Sequence, residues 1–579
     1  MVWGRNLEKP KCQSPSGLES VDLICGLVYI SARGIELREV GVKNTYWAKA
    51  PLAREQIVLF PTKLDEVISD DHPARVYAEL TQGYDWSEWE ATYHGSLGQP
   101  PIHPRILATL WLYGIRRGIR SSRKLEYMAA YNLDFMWLAE GHRPDHTTFS
   151  EFRSYFKQPL KHLFKSIVRV ALAAGLARLA GVASDGTHIQ ANASRFETWT
   201  QAKIDIEIKK LVDEFARRLE EPTPEEALDD VLPEPGQGEL FEELGGDSNL
   251  CLPPELADQK ARIEKLREIQ QQLQDADAAR KKDGIDPLKN PAQIPVNDPD
   301  SRIMPNKDGG YAPNYTPYAT TESHGGFIVE ADVVSSVSDS ATLLPSLDQI
   351  KADHGEYPDV ALADGAYATG PNISGMLDRD IEFLTNLKMP DPATNPAIRP
   401  DVSVPVAEAF WMELPLSPQT KKLDKACFVY DAELDRYVCP MGKVLEYSEK
   451  KSDVRQGEKR EWRVYRCDAC ETCPLREKCV SKKSKSGRTV TRDVYAKIRE
   501  ELAFKMTDPD QKKRYDQRMR IAEAPFALIK NVIGLRQFLL RGQEKVETEW
   551  QWTCLALNLD KLVRGLVKMR TEFAAMITN

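Results

Sequence analysis

Val182-Ala183-Ser184-Asp185-Gly186-Thr187-His188 is the stretch on which the fold turns. Small apolar residues lead into an acid and a glycine breaks the chain directly after it, so Gly181 to Ser194 reads as a strand with Asp185 near its end. The same grammar returns in Val360-Ala361-Leu362-Ala363-Asp364-Gly365-Ala366-Tyr367, where Asp359 to Asp364 forms a short apolar strand. Between the two lie strand patterns at Tyr315 to Thr321 and Gly326 to Val334, then a helix from Ser338 to Lys351. A further helix and strand run through Leu377 and Ile381 to Leu387. Adjacent strands followed by helix–strand units make a sheet of the α/β (α+β) class.

A third acid, Glu523, sits on the helical stretch Tyr515-Asp516-Gln517-Arg518-Met519-Arg520-Ile521-Ala522-Glu523-Ala524-Pro525-Phe526. Carboxylates on adjacent strands and on a covering helix can converge, and there they bind Mg²⁺ (or Mn²⁺) through hard oxygen contacts. Two such ions would stabilise the attacking and leaving oxygens of an in-line phosphoryl transfer. Taken singly, an Asp-Gly after a strand is usually a turn, and a helical Glu among arginines is usually a surface ion pair; the conjunction carries the reading. Glu544, Glu547 and Glu549 compete for the third place. Glu523 is preferred because Arg514, Arg518, Arg520 and Lys530 surround it, and because Phe526, Ile529 and Ile533 form an apolar stripe able to dock on the sheet. Glu544 to Glu549 alternates with Lys545 and reads as a solvated face.

Outward from these acids the chain divides into segments. Residues 1–51 show no period and read as a dispensable extension, of the kind a mis-set translation start leaves. Residues 52–175 are helical, with Ile106, Leu107, Leu110, Tyr113 and Ile115 on one face. The run Thr148-Phe149-Ser150-Glu151 has the spacing of a capping box. Short helices joined by a basic connector suit a DNA-binding domain, and equally a plain bundle. Core segments at 176–198 and 295–400 flank a charged helical insertion at 199–294 with an acidic loop. Residues 401–504 form a second, Cys-rich β insertion, and 505–579 return to helix and the core.

The chain has 579 residues and a net charge of −9, but eleven acids and no Lys or Arg lie between Glu220 and Asp247, and without them the remainder is +2. Basic clusters stand elsewhere: Arg116, Arg117, Arg120, Arg123 and Lys124; Lys482, Lys483, Lys485 and Arg488; and Lys512, Lys513, Arg514, Arg518 and Arg520. Local patches of this kind hold phosphates, whatever the total charge. No apolar run approaches the ~20 residues of a membrane span, and acids flank Leu23 to Ala32 where a signal peptide would be basic. A cytoplasmic protein without membrane contact is expected.

Five of the ten cysteines, Cys439, Cys467, Cys470, Cys473 and Cys479, fall within 41 residues. In a cytosolic chain that clustering points to metal before disulfide, here a structural Zn²⁺ held by four of the five. Buried reduced thiols are the competing reading. Arg463, Arg466, Lys482 and Lys483 beside the cluster suggest contact with DNA.

Together these motifs resemble the DDE transposases of bacterial insertion sequences, in particular the subgroup with an N-terminal helical domain and a Tyr-Arg-Glu-Lys signature helix. The resemblance covers roughly residues 55–198 and 295–562. It rests on Asp185-Gly186-Thr187-His188 with Ala191-Asn192-Ala193-Ser194, on Ala363-Asp364-Gly365-Ala366-Tyr367, and on Tyr515, Arg518, Glu523 and Lys530. The tail Arg541-Gly542-Gln543-Glu544-Lys545-Val546 and Leu555-Ala556-Leu557-Asn558-Leu559 is similar too. One departure stands out: the usual signature leaves three residues between Arg and Glu, whereas Arg518 leaves four and Arg520 two. The resemblance implies a ribonuclease H-like core in which Asp185, Asp364 and Glu523 bind two Mg²⁺ or Mn²⁺ ions. Arg518 and Lys530 would hold phosphate and Tyr515 would lie near the cleaved strand; the basic connector of the helical domain offers Arg116, Arg117 and Arg120 as further DNA ligands. The partners would be double-stranded DNA, as terminal inverted repeats and target, and a second copy of the chain in the DNA complex. A nuclease of the same fold that does not transpose, and a decayed copy that only binds DNA, are the alternatives.

Overall fold

The computed structural model describes residues 64–66, 68–93, 100–220, 254–282, 286–306, 309–455, 458–481 and 487–578, together with residues 22–23 and 26–27. The chain divides into two units, residues 1–62 and 63–579. In the first, Asp22–Leu23 pairs antiparallel with Gly26–Leu27; the rest of the 1–51 extension lies outside the described residues, as do the acidic loop and Lys482, Lys483 and Lys485.

The second unit opens with seven helices: α1 (Pro73–Gln82), α2 (Ser87–Glu90), α3 (Pro104–Arg116), α4 (Ser122–Tyr131), α5 (Leu133–Leu138), α6 (His146–Tyr155) and α7 (Lys157–Ala173). α3 is buried on every side from Ile106 to Ile115, as its sequence, apolar nearly all round, requires. The start of α6 corrects the expected capping box. Asp145 has extended backbone and its Oδ1 accepts the Thr148 N–H at 2.7 Å, so Thr148 lies inside the first turn.

The main sheet contains β1 (Gly181–Gly186), β2 (Ile189–Gln190), β3 (Arg302–Pro305), β4 (Tyr311–Glu322), β5 (Ile328–Val334), β6 (Val360–Ala363) and β7 (Glu382–Thr385). Its central order is β5-β4-β1-β6-β7, with β5, β4 and β1 antiparallel and β6 and β7 parallel to β1. β2 and β3 pair with the early part of β4. Helices α10 (Leu343–His354) and α11 (Gly370–Asp378) make the crossovers that parallel strands demand; two longer helices come before them in the chain.

Those two, α8 (Gln201–Glu220) and α9 (Pro254–Lys282), form the first insertion. α9 is polar over most of its surface, yet Ile263, Leu266, Ile269 and Leu273 recur at helical spacing and bury against Ile204 and Leu211 of α8. The second insertion is a five-stranded antiparallel sheet, β8 (Val429–Asp431), β9 (Arg436–Val438), β10 (Val444–Arg455), β11 (Glu458–Arg466) and β12 (Thr489–Asp493), in sequential order. Its small core holds Tyr437, Leu445, Tyr465 and Val490 together with Cys467, Cys470 and Cys479.

The chain then returns through α12 (Ala496–Lys505), α13 (Pro509–Asp516), α14 (Ala524–Leu528) and α15 (Gln543–Thr578). α14 is bracketed by two π-helical turns, Met519–Glu523 and Ile529–Ile533. α15 packs against α3, α7 and β5, and buries Trp550, Trp552 and Leu555 completely or nearly so. No helix among the described residues is long and apolar enough to cross a membrane.

Candidate active site

Side chains alternate between the two faces of a strand, and that alternation builds the site. In β1, Ala183 and Asp185 share a face; in line with β6, so do Leu362 and Asp364. The parallel register sets Val182 beside Ala361 and Ala183 beside Leu362. Continued by two residues, it brings Asp185 and Asp364 side by side at the same end of neighbouring strands. Below them Ala183, Leu362 and Leu384 form an apolar floor, on which Ile521 and Ala522 of the first π turn pack. That contact carries Glu523 to the rim. The docking residues are therefore Ile521 and Ala522. The expected stripe of Phe526, Ile529 and Ile533 is buried too, but in the large core, where Phe526 stacks on Trp550 with ring centroids 6.1 Å apart.

The π turn also accounts for the unusual spacing of Arg518 and Glu523. On a regular α-helix, five positions would separate them by roughly 140° around the axis. A π turn bonds i to i+5 and so holds one extra residue per turn. Arg518 Nη2 comes to 3.9 Å from Glu523 Oε1, while its Nη1 lies 3.6 Å from Asp185 Oδ2. The Arg518 side chain is 15 % exposed and its Nη1 has no hydrogen-bond partner.

Burial pushes the Asp185 carboxyl up to about 6, against the pull of Arg518; Asp364 and Asp339 add repulsion. Gly186 N–H donates to Asp185 Oδ1 at 3.0 Å, and Ala366 N–H donates to Asp364 Oδ1 at 2.8 Å. Tyr515 packs at the edge of the floor; burial raises its hydroxyl pKa, and it feels Arg518, Asp364 and Asp185. Lys530 Nζ reaches back to the turn after β1, donating to Thr187 Oγ1 at 2.5 Å and the His188 carbonyl at 3.4 Å. The structure thus gathers Asp185, Asp364, Glu523, Arg518, Tyr515 and Lys530 around one strand end. Among the described residues, Arg518 is the cation within ion-pair distance of Asp185 or Glu523, and none stands that close to Asp364. Carboxylates so under-compensated suit a divalent cation, although no three His, Cys, Asp or Glu groups among the described residues stand close enough to hold one as placed.

The connector arginines also have acidic partners within the chain. Arg116 pairs with Asp560 of α15. Arg120, its side chain 12 % exposed, pairs with Glu549 at 2.9 Å and donates to the carbonyls of Gly534 and Gln537. Both fasten the N-terminal helices to the C-terminal region. Arg117, more exposed, lies over the Tyr113 ring and 3.3 Å from Asp134. Glu549 itself is 3 % exposed and accepts the N–H groups of Leu539 and Leu540, so Glu544 to Glu549 is not a solvated face throughout.

In the second insertion, Cys439, Cys467, Cys470, Cys473 and Cys479 all line one cavity of about 20 Å³. Lys443 N–H donates to Cys439 Sγ at 3.3 Å and Arg488 N–H to Cys470 Sγ at 3.4 Å. Burial pushes the Cys467 and Cys479 thiols up to about 12. Gly487 lets the chain close over the cluster, since a Cβ there would meet the Cys467 carbonyl oxygen at 1.8 Å. Arg463 pairs with Asp435 and lies over the Tyr447 ring, so it too has a protein partner.

Residues 438–563 match a family model described as a Transposase DDE domain, and residues 62–155 match one described as a Transposase domain (DUF772). Over these two segments the chain is similar to transposases, the first of the DDE type. The first spans Glu523, Arg518, Lys530 and the Cys cluster; neither reaches Asp185 or Asp364. No curated protein and no solved structure matches the chain at a significant level.

Proposed function

We propose that this chain is a transposase of a bacterial insertion sequence, acting in the cytoplasm, which binds terminal inverted repeats, cleaves the element's ends and joins them to target DNA. The observation that carries the reading is the pairing of Asp185 and Asp364 on neighbouring parallel strand ends beneath the segment bearing Glu523. The β5-β4-β1-β6-β7 order, three antiparallel strands followed by two parallel ones, supports a ribonuclease H-like core.

Asp185, Asp364 and Glu523 would hold two Mg²⁺ or Mn²⁺ ions, whose chemistry is activation of the nucleophile and neutralisation of charge on the oxygens of in-line transfer. The remaining work is positioning. Arg518 holds Asp185 and Glu523 in one orientation and adds positive charge for a phosphate beside them. Lys530 fixes the turn after β1 and adds positive charge beside the scissile phosphate. Tyr515 flanks the cleaved strand. Lys512, Lys513 and Arg520 are exposed and suit the DNA backbone. Two ends acted on together imply a dimer in the DNA complex. An assay on labelled paired ends with Mg²⁺ tests the reading: cleavage followed by joining is expected. Cleavage without joining would favour a nuclease, and binding without cleavage a decayed DNA-binding copy.

The Cys cluster completes the proposal with one structural Zn²⁺ per chain. Five thiols line one cavity of about 20 Å³, room for a single ion-sized guest once at least four of them draw together, since no three among the described residues stand close enough as placed. Arg488 lines the same cavity, its Nε has no partner, and no carboxylate among the described residues pairs with it. Thiolates on zinc would supply the missing negative charge. Metal analysis of the purified protein should return about one Zn²⁺ per chain, lost in Cys473→Ser or Cys479→Ser. A folded, metal-free protein with five titratable thiols in residues 439–479 would refute the site.

A further inference from the structure

Asp339 lies in the turn between β5 and α10, at the head of the short helical turn Ser340–Thr342. A helix-start acid usually spends its carboxylate on the first turn, but this side chain makes no capping bond. It lies instead against the residue that follows Asp185: a Cβ on Gly186 would stand 2.0 Å from Asp339 Oδ2. Glycine at 186 is what permits the two acids to approach. No Lys or Arg among the described residues is within ion-pair distance of Asp339.

A second feature points into the same space. Tyr367, three residues beyond Asp364, is 1 % exposed. Its Oη lies beside the Asp339 carboxylate but has no hydrogen-bond partner of acceptable geometry. Its nearest charges are Asp339, Asp185 and Asp364. The two turns are tied together, because Asn372 Nδ2 donates to the carbonyls of Ser340 at 2.8 Å and Tyr367 at 2.9 Å. A buried phenol without a well-directed acceptor is costly, and so are three mutually repelling carboxylates against which Arg518, beside Asp185, sets a single positive charge. One divalent ion answers both. It would draw one oxygen of Asp339 inward and leave the other to accept the Tyr367 hydroxyl, the outer support that metal-binding carboxylates commonly have.

We infer that Asp339 is a fourth carboxylate of the catalytic centre, an oxygen ligand to the divalent ion shared by Asp185 and Asp364, and that Tyr367 is its positioning residue. The inference rests on the metal centre proposed above. It is tested by calorimetric titration of the full-length protein with Mn²⁺ in the absence of DNA, alongside the Mg²⁺ dependence of end cleavage. Asp339→Asn should weaken Mn²⁺ binding and raise the Mg²⁺ needed for half-maximal cleavage by about tenfold or more, with melting temperature and end binding unchanged. Tyr367→Phe should shift both in the same direction by less, and serves as the readout if Asp339→Asn melts early. Affinity and Mg²⁺ dependence within about twofold of the parent in both variants, while Asp185→Asn loses Mn²⁺ binding, would remove Asp339 and leave the centre standing. Mn²⁺ binding retained in Asp185→Asn as well would overturn the centre itself.

Discussion

Asp185→Asn and Asp364→Asn should each abolish end cleavage, with rates down by about 10³-fold or more, while end binding changes by no more than a few-fold. Each substitution keeps the side chain's size and replaces one anionic oxygen with an amide, so the strand ends and the floor of Ala183, Leu362 and Leu384 stay in place. Asparagine cannot supply the charge that offsets a divalent ion. For Asp185 there is a second consequence: Arg518, 3.6 Å away, loses one of its two carboxylate neighbours and is left a buried cation facing Glu523 alone. Binding persists because the exposed cations, Lys512, Lys513 and Arg520, lie outside the pair. Gel-shift titrations and cleavage of labelled end DNA at fixed Mg²⁺ separate the two effects. Near-parent cleavage by either variant removes that acid from the centre.

What could be read from residues alone followed from how local each signal is. A strand of small apolar residues ending in Asp-Gly is a local pattern, and it occurs twice. Strand alternation then puts both acids on the same face once the strands are neighbours, as β1 and β6 are. The crossover helices likewise announce themselves by period. Charge is a poorer guide, because a basic run looks the same whether it meets phosphate or an acid far along the chain. Arg116 and Arg120 find Asp560 and Glu549, more than 400 positions away, and no window of sequence shows that. Asp339 escaped for a similar reason. Between Ser338 and Ser340 it looks like ordinary turn chemistry, and its meaning depends on Gly186, brought close only by the pairing of β1, β4 and β5. The cap of α6 shows the finer grain: Asp145 and Thr148 both fit a helix start, and backbone geometry decides between them.

The third acid gives the second large effect. Glu523→Gln should eliminate cleavage, again by about 10³-fold, whereas Glu547→Gln should leave it within a few-fold of the parent. The geometry separates the two glutamates. Glu523 is 54 % exposed at the rim, with Arg518 as its one ion-pair partner among the described residues. It is free to turn toward an ion beside Asp185. Glu547 is 14 % exposed and already committed: Lys157 lies 2.7 Å from Oε2 and Gln543 Nε2 donates to Oε1 at 3.0 Å. Its loss should appear as stability, a change of roughly 1 kcal/mol from a partly buried pair, read as a lower melting temperature. The spacing makes the prediction sharper. If the π turn is what sets Arg518 and Glu523 together, deleting Arg520 restores the three-residue gap of the usual signature and lets the segment wind as a regular helix. That variant should keep measurable cleavage, and adding Glu523→Gln to it should remove the remainder. Metal-dependent cutting that survives Glu523→Gln but disappears in Glu547→Gln would move the third ligand to α15 and leave the π turn without a part in catalysis.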